Sequence, residues 1–90
     1  NGNKIETTIN RYEASVLASE YPKNSITTFY INSSGATGYP ATAGIVTTYV
    51  PNDPTWARQE FRVYNSDQLW SRHVVPADGS WSEWVKISAV

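Results

Sequence analysis

Apolar and polar residues alternate along the second half of the chain, and this period-two pattern is typical of β-strands. In residues 56–64, Phe61 and Val63 point to one side of a strand and their polar neighbours point to the other. Residues 69–75 and 81–87 contain two further strand-like runs. Short strands separated by turn residues predict an antiparallel sheet in this half of the chain.

The last two of these strands are predicted to form a hairpin around which the rest of the chain is organised. Pro76 fixes φ, and Asp78 with Gly79 tolerates the left-handed conformations of tight turns. Three of the four Trp residues lie in this hairpin. Because one Trp buries roughly 150–250 Å², we expect the earlier segments to pack against it.

Two earlier runs, residues 26–32 and 45–50, are rich in β-branched and aromatic side chains and predict two more strands. Between them, residues 33–44 include three glycines and Pro40. We interpret this segment as an Ω-type loop that is functional, that lies on another subunit, or that is only a connection.

A short helix is predicted over about residues 11–19. Asn10 has the properties of a helix N-cap, and Glu13 follows it at the capping-box position. The residue before Pro22 disfavours the α region, which ends the helix. One apolar stripe at helical spacing contains Ile9, Tyr12, Val16 and Leu17.

These elements together predict a small α+β domain in which one N-terminal helix packs on an antiparallel sheet. Residues 9–90 form this domain, and the polar residues 1–8 form a linker or the end of a preceding stalk. A chain of 90 residues has room for one domain, and it buries only about 60% of its unfolded surface.

Composition narrows the possible functions. The chain has no Cys and one His, so we expect no disulfide, no metal site and no cofactor. A net charge of −1 with scattered charges argues against nucleic-acid binding, and no apolar run has the length of a membrane span. With 13% aromatic and 17% charged residues, stability is expected to come from aromatic burial or from partner chains.

Several short motifs, taken together, resemble the knob domains of phage tail fibres and pyocins. The resemblance covers about residues 12–88, and its most specific part is the Trp-x-Arg motif followed by the Trp-Ser-x-Trp motif. Asn24 stands where such knobs often have Gly, and Asn is the next-best residue for a left-handed turn. The shared residues are Tyr21-Pro22, Thr27-Thr28-Phe29-Tyr30, Gly38-Tyr39-Pro40, Gln59, Tyr64, Trp70-Ser71-Arg72, Trp81-Ser82, Trp84 and Ile87.

This resemblance implies a homotrimeric, non-enzymatic module of a tail fibre or receptor-binding protein, from a phage or prophage of a Gram-positive bacterium. Such a module belongs to the virion and acts outside the host cell. It would help the particle attach to surface glycan or wall teichoic acid. The alternatives are an architectural spacer or trimerisation domain without a ligand, and part of a cell-wall-degrading tail enzyme.

Five residues are candidates for ligand contact. Trp56 follows a loop that contains Asp53, and Arg58 lies close by, so an exposed ring could stack on a sugar. Packing between subunits would explain Trp56 equally well. Tyr39 lies in the loop of residues 33–44, and Arg72 could bind a phosphate or carboxylate in bidentate fashion. Alternatively, Arg72 has a structural role.

Structural roles are the simpler interpretation for Trp81, Trp84 and His73. Trp81 and Trp84 could form a sugar platform, but core packing is the simpler interpretation in a domain with few aliphatic residues. A lone His73 does not make a catalytic or metal site. No pair of carboxylates stands out as the two groups that a glycosidase requires, so no enzymatic activity is expected.

Overall fold

The computed structural model of the chain describes residues 13–32 and 37–87, which form one antiparallel sheet of five strands. The sheet order follows the chain, so each strand pairs with the next one in sequence. This arrangement confirms the antiparallel sheet that the alternating pattern predicts. The strands are β1 (Ser25–Ile31), β2 (Gly44–Val50), β3 (Arg58–Val63), β4 (Leu69–His73) and β5 (Val85–Lys86).

One face of the sheet, the inner face, carries the core. Phe29, Val46, Phe61 and Trp70 follow one another directly across β1 to β4 because the register pairs each with the next. Val46 and Phe61 have no exposed surface. The opposite side, the outer face, carries the alternate residues of the same strands. One register row on it, for example, runs from Ile26 through Tyr49.

Residues 13–24 and the segment after β4 cover the inner face. Ala14 packs in the cluster that contains Phe29 and Phe61. A second cluster lies at the other end of the face, where Ala18, Tyr21 and Val50 pack together. Small and aromatic residues thus close the inner side of the sheet without a helix.

The predicted α+β class with an N-terminal helix is wrong. Residues 13–24 form turns, and their one helical element is a single 3-10 turn at Ala18–Glu20. Leu17 and Tyr21, which flank this turn, both have extended backbone angles. The first two residues of the predicted helix, 11 and 12, lie outside the described residues, as do the predicted N-cap Asn10 and the linker 1–8.

Side-chain donors explain why an α-helix does not form here. The carbonyl of Ala14 accepts a hydrogen bond from Arg72 Nη2 at 2.8 Å. The carbonyl of Val16 accepts one from Trp81 Nε1 at 2.8 Å. In an α-helix these carbonyls would accept from main-chain N–H groups four residues later. The hydrogen bonds from the sheet side replace that ladder.

The strands are shorter than predicted in the second half of the chain. Strand β3 begins at Arg58 because Pro54–Trp56 form a second 3-10 turn. Strand β5 contains only Val85 and Lys86, although Trp81 adds an isolated bridge to Val74. The first arm of the Trp-rich hairpin is therefore the sheet strand β4, while most of its second arm lies outside the strand ladder.

Two turns have the left-handed conformations that their residues predict. Asn24 has φ 57°, so this Asn adopts the left-handed conformation that was predicted for its turn. Gly79 has φ 77° in the turn after β4, where its N–H donates to the carbonyl of Val75 at 2.9 Å.

Gly44 is required for close packing, so we expect Gly44→Ala to destabilise the domain by about 1–3 kcal/mol. A Cβ there would lie 2.7 Å from Cζ of Phe61 and inside contact distance of the Arg62 carbonyl oxygen. Urea unfolding followed by circular dichroism measures the loss. Gly79→Ala separately measures the backbone cost of a positive φ, about 1–2 kcal/mol, because no atom lies within 4 Å of its added Cβ. Gly44 has no positive φ, so a loss below about 0.5 kcal/mol in Gly44→Ala would contradict the steric explanation.

Candidate functional site

The turn before β3 presents Trp56 to solvent. Asp53 accepts hydrogen bonds from the N–H of Thr55 at 3.0 Å and from its hydroxyl at 2.8 Å, and Pro54 begins the 3-10 turn. These hydrogen bonds lower the pKa of Asp53. The Trp56 side chain is 75% exposed, more than any other large hydrophobic residue among those described. The turn thus holds an indole outside the core in a defined position.

Trp56 forms one wall of a groove of about 370 Å³. Arg58 and His73 are register partners on the outer face, and both line this groove. Its described lining contains an indole, a guanidinium and an imidazole, and no carboxylate. The full lining is Thr55, Trp56, Ala57, Arg58, His73, Val74 and Pro76.

Hydrogen bonds from Ser82 hold the His73 side of the groove in place. The Ser82 N–H donates to the His73 carbonyl at 2.6 Å, and the His73 N–H donates to Ser82 Oγ at 3.0 Å. Ser82 Oγ also lies 3.3 Å from Nδ1 of the imidazole. Because the Ser82 hydroxyl contacts the imidazole, the residue that follows Trp81 orients the His73 ring.

This arrangement suits a flat, partly apolar ligand that carries negative charge. Aromatic faces bind cations and apolar ring surfaces, while guanidinium binds phosphate or carboxylate with paired hydrogen bonds. A sugar with an anionic substituent has both features. The groove therefore has the side chains for stacking and for charge neutralisation.

Arg72, in contrast, lies inside the domain. Its guanidinium carbon is 4.7 Å from the ring centre of Trp81 and 4.4 Å from that of Trp84, so the cation lies against two indole rings. Arg72 Nε donates to Gln59 Oε1 at 2.7 Å. Burial lowers the pKa of Arg72 to about 10, which leaves it charged at neutral pH. The contacts favour the structural role that the sequence left open.

Gln59 connects this cation to the rest of the inner face. Its Nε2 donates to Thr48 Oγ1 at 2.8 Å and to the Tyr21 hydroxyl at 3.1 Å. Thr48, Gln59 and Arg72 are also successive register partners across three strands. Gln59 was not among the predicted site residues. Its place in the inward alternation with Phe61 and Val63 nevertheless indicated a position on the inner face.

Tyr39 also points inward. Its side chain is buried, and its ring stacks on Phe61 with centres 5.8 Å apart and planes at 18°. Trp84 packs against the same ring at 6.0 Å and donates from Nε1 to the Gly38 carbonyl at 3.2 Å. Desolvation by burial raises the pKa of Tyr39, so its hydroxyl stays protonated. Residues 33–36 of the predicted loop lie outside the described residues.

The structure brings two of the five predicted site residues together. Trp56 and Arg58 line one groove. Asp53 lies in the preceding turn and orients it without lining the groove, and Tyr39 and Arg72 are buried on the inner side. Ligand contact by any of the five stays a prediction.

The described residues also bear on metal binding and on membrane crossing. Within residues 13–32 and 37–87, no group of three or more His, Asp or Glu side chains is placed to hold a metal ion. No helix found in these ranges has the length and apolar character needed to cross a membrane.

Comparison with known proteins identifies a matching family. Residues 4–86 match the sequence model of a family described as the phage-like element PBSX protein XkdV, third domain. No curated protein and no solved structure matches the chain.

Proposed function

Because the chain belongs to the family of the third domain of the PBSX protein XkdV and is thus of phage origin, we propose that it is a non-enzymatic, homotrimeric module of a phage tail fibre or receptor-binding protein. On this proposal it helps the virion attach to a Gram-positive cell surface. Its ligand is a wall polymer that combines sugar rings with anionic groups, such as wall teichoic acid, or another surface glycan.

The observation that supports attachment is the groove between Trp56 and Arg58. An indole that is 75% exposed contributes little to the core of the domain, yet the Asp53 turn holds it in one place. The guanidinium of Arg58 gives the groove positive character in a chain whose net charge is −1. These features favour an anionic glycopolymer over a neutral or cationic ligand.

Trp56→Ala is expected to weaken binding to purified cell walls about tenfold while the fold is kept. A tenfold change corresponds to about 1.4 kcal/mol, which is within the range of one stacking contact. The unfolding free energy should change by less than about 0.5 kcal/mol, because the ring is at the surface. Pull-down with purified walls and urea unfolding measure the two quantities.

Leu17→Ala is the control for this experiment. Leu17 is a large apolar residue that is 37% exposed, and it lies outside both the groove and the outer face of the sheet. Its loss should leave wall binding unchanged. Walls stripped of teichoic acid distinguish that polymer from other glycans. Equal wall binding by the wild type and Trp56→Ala would contradict the role of the groove.

An architectural spacer without a ligand is the second candidate, and the exposed apolar residues of the outer face favour it. Ile26 and Tyr30 are both more than half exposed on that face. Under this hypothesis the isolated 90-residue chain does not bind walls, while a longer fibre that contains it does. Release of sugar or phosphate from walls by the chain alone would instead indicate an enzyme.

A further inference from the structure

We propose that the outer face of the sheet is the surface through which copies of this chain pack on one another. The inference rests on the proposed homotrimer and adds to it the side of the domain that faces the other copies. It does not require that the groove bind a ligand.

The outer face has an amount of exposed apolar surface that is unusual for a monomer. Seven large apolar side chains on or beside it expose between 37% and 73% of their surface. A buried Tyr removes roughly 150–250 Å² from water, so the three Tyr alone expose roughly 300 Å² at these fractions, and the four aliphatic side chains add a comparable area. The total reaches the upper end of the largest patch on a typical monomer, about 300–600 Å². The seven are Ile26, Tyr30, Ile45, Tyr49, Tyr64, Val85 and Ile87.

This area matches what association between copies requires. A standard specific interface buries about 800 Å² on each partner. The apolar residues lie on β1, β2 and β5 or directly after β3 and β5, so this face could turn toward a threefold axis and pack on the sheets of the other two copies. Among the described residues, two segments cover the sheet, and both pack on its inner face. They are residues 13–24 and the segment that contains Trp81 and Trp84.

The charges of the outer face complement those of a second copy. Arg58, Glu60 and Arg62 lie on the outer side of one strand, so the sign alternates from one register row to the next. Rows are about 7 Å apart along a strand. If a second copy is displaced along the strand by one row, its Glu60 lies opposite Arg58 or Arg62 of the first copy. Tyr49 already donates to Glu60 Oε1 at 3.3 Å, which reduces the cost of burying that carboxylate.

The groove would then lie at the margin of the interface. Arg58 and His73 belong to the same register row as Ile26 and Tyr49 of the outer face, and they also line the groove beside Trp56. Packing between copies would place three such grooves around the trimer. A polymer with repeating units could then contact several of them at once.

Sedimentation equilibrium of the 90-residue chain tests the inference, with Ile45→Lys as the main variant. Ile45 is on the outer face of β2, an interior strand of the sheet, away from the groove and the core. We expect the wild type to associate in the micromolar range and Ile45→Lys to raise the dissociation constant at least about tenfold. Ser15→Lys adds the same charge to the exposed side of the segment that covers the inner face, and should associate like the wild type.

Two results would overturn the inference: a wild type that stays monomeric throughout this range, or association that Ile45→Lys does not weaken. If Ile45→Lys fails to fold by circular dichroism, Tyr30→Lys on the edge strand β1 replaces it, and the same criteria apply. Association is measured without cell walls, so its failure is distinct from a failure of the groove to bind wall polymer.

Discussion

Replacing Trp84 with alanine is expected to lower the free energy of unfolding by about 3–5 kcal/mol, as for other packed large aromatic residues. The indole packs on Phe61 with ring centres 6.3 Å apart and on Tyr39 at 6.0 Å. It also covers one side of the Arg72 guanidinium and donates a hydrogen bond to the carbonyl of Gly38. Urea unfolding followed by circular dichroism measures the change.

The same substitution at Trp56 is the matched control, because it removes an equal side chain from an exposed position. Small domains have about 5–15 kcal/mol of total stability, so Trp84→Ala could leave the chain unfolded. Trp84→Phe then gives a graded measurement, since it keeps a ring against Phe61 and loses the hydrogen bond to Gly38. A Trp84→Ala protein as stable as Trp56→Ala would show that the indole does not contribute to the core.

The sheet could be predicted because its signals are local. Alternation within residues 56–64 identifies the inward positions of β3, and Phe61 is fully buried as that pattern requires. Turn residues act through their own backbone, so Asn24 and Gly79 adopt positive φ. Neither signal depends on a distant part of the chain.

The sequence could not exclude the helix, because the side chains that compete for its main-chain carbonyls lie far along the chain. The donors that use the carbonyls of Ala14 and Val16 lie 58 and 65 residues further along the chain. A helix of nine residues is marginal without tertiary packing. Main-chain groups of the segment therefore pair with Arg72 and Trp81. Of the residues whose apolar spacing suggested a helix, Val16 packs against the cluster that contains Ala18, while Leu17 is 37% exposed.

The candidate site was predictable where a residue departs from the strand pattern. Trp56 has no place in the alternation of β3, and the structure exposes it beside Arg58. Arg72 and Tyr39 could not be placed in this way, because a polar strand residue and a loop aromatic can each face either side. Their burial depends on partners such as Gln59 and Phe61, and only the fold brings these together.

Arg72→Ala is expected to destabilise the domain by at least about 3 kcal/mol, although it removes no ion pair that the described residues show. The change leaves Gln59 Oε1 and the Ala14 carbonyl without their donor, at about 1–3 kcal/mol for each buried group. Trp81 and Trp84 lose a cation between their rings, which adds about 1–2 kcal/mol. Urea unfolding measures the sum.

Substitution by lysine separates the charge of Arg72 from its shape. Arg72→Lys keeps the cation but loses the planar group that reaches Gln59 and Ala14 while stacking on two indoles, so an intermediate loss is expected. Arg58→Lys makes the same exchange at an exposed position and should change stability by less than about 0.5 kcal/mol. Equal effects at the two positions would mean that the guanidinium geometry is unimportant.

A double-mutant cycle of Arg72→Ala and Gln59→Ala tests whether the two residues act as one network. Once Arg72 is absent, Gln59 Oε1 has already lost its donor, so removing Gln59 should cost less than it does in the wild type. A coupling of about 1–2 kcal/mol is expected for residues in one hydrogen-bond network. Additivity within about 0.5 kcal/mol would mean that Arg72 and Gln59 contribute to stability independently.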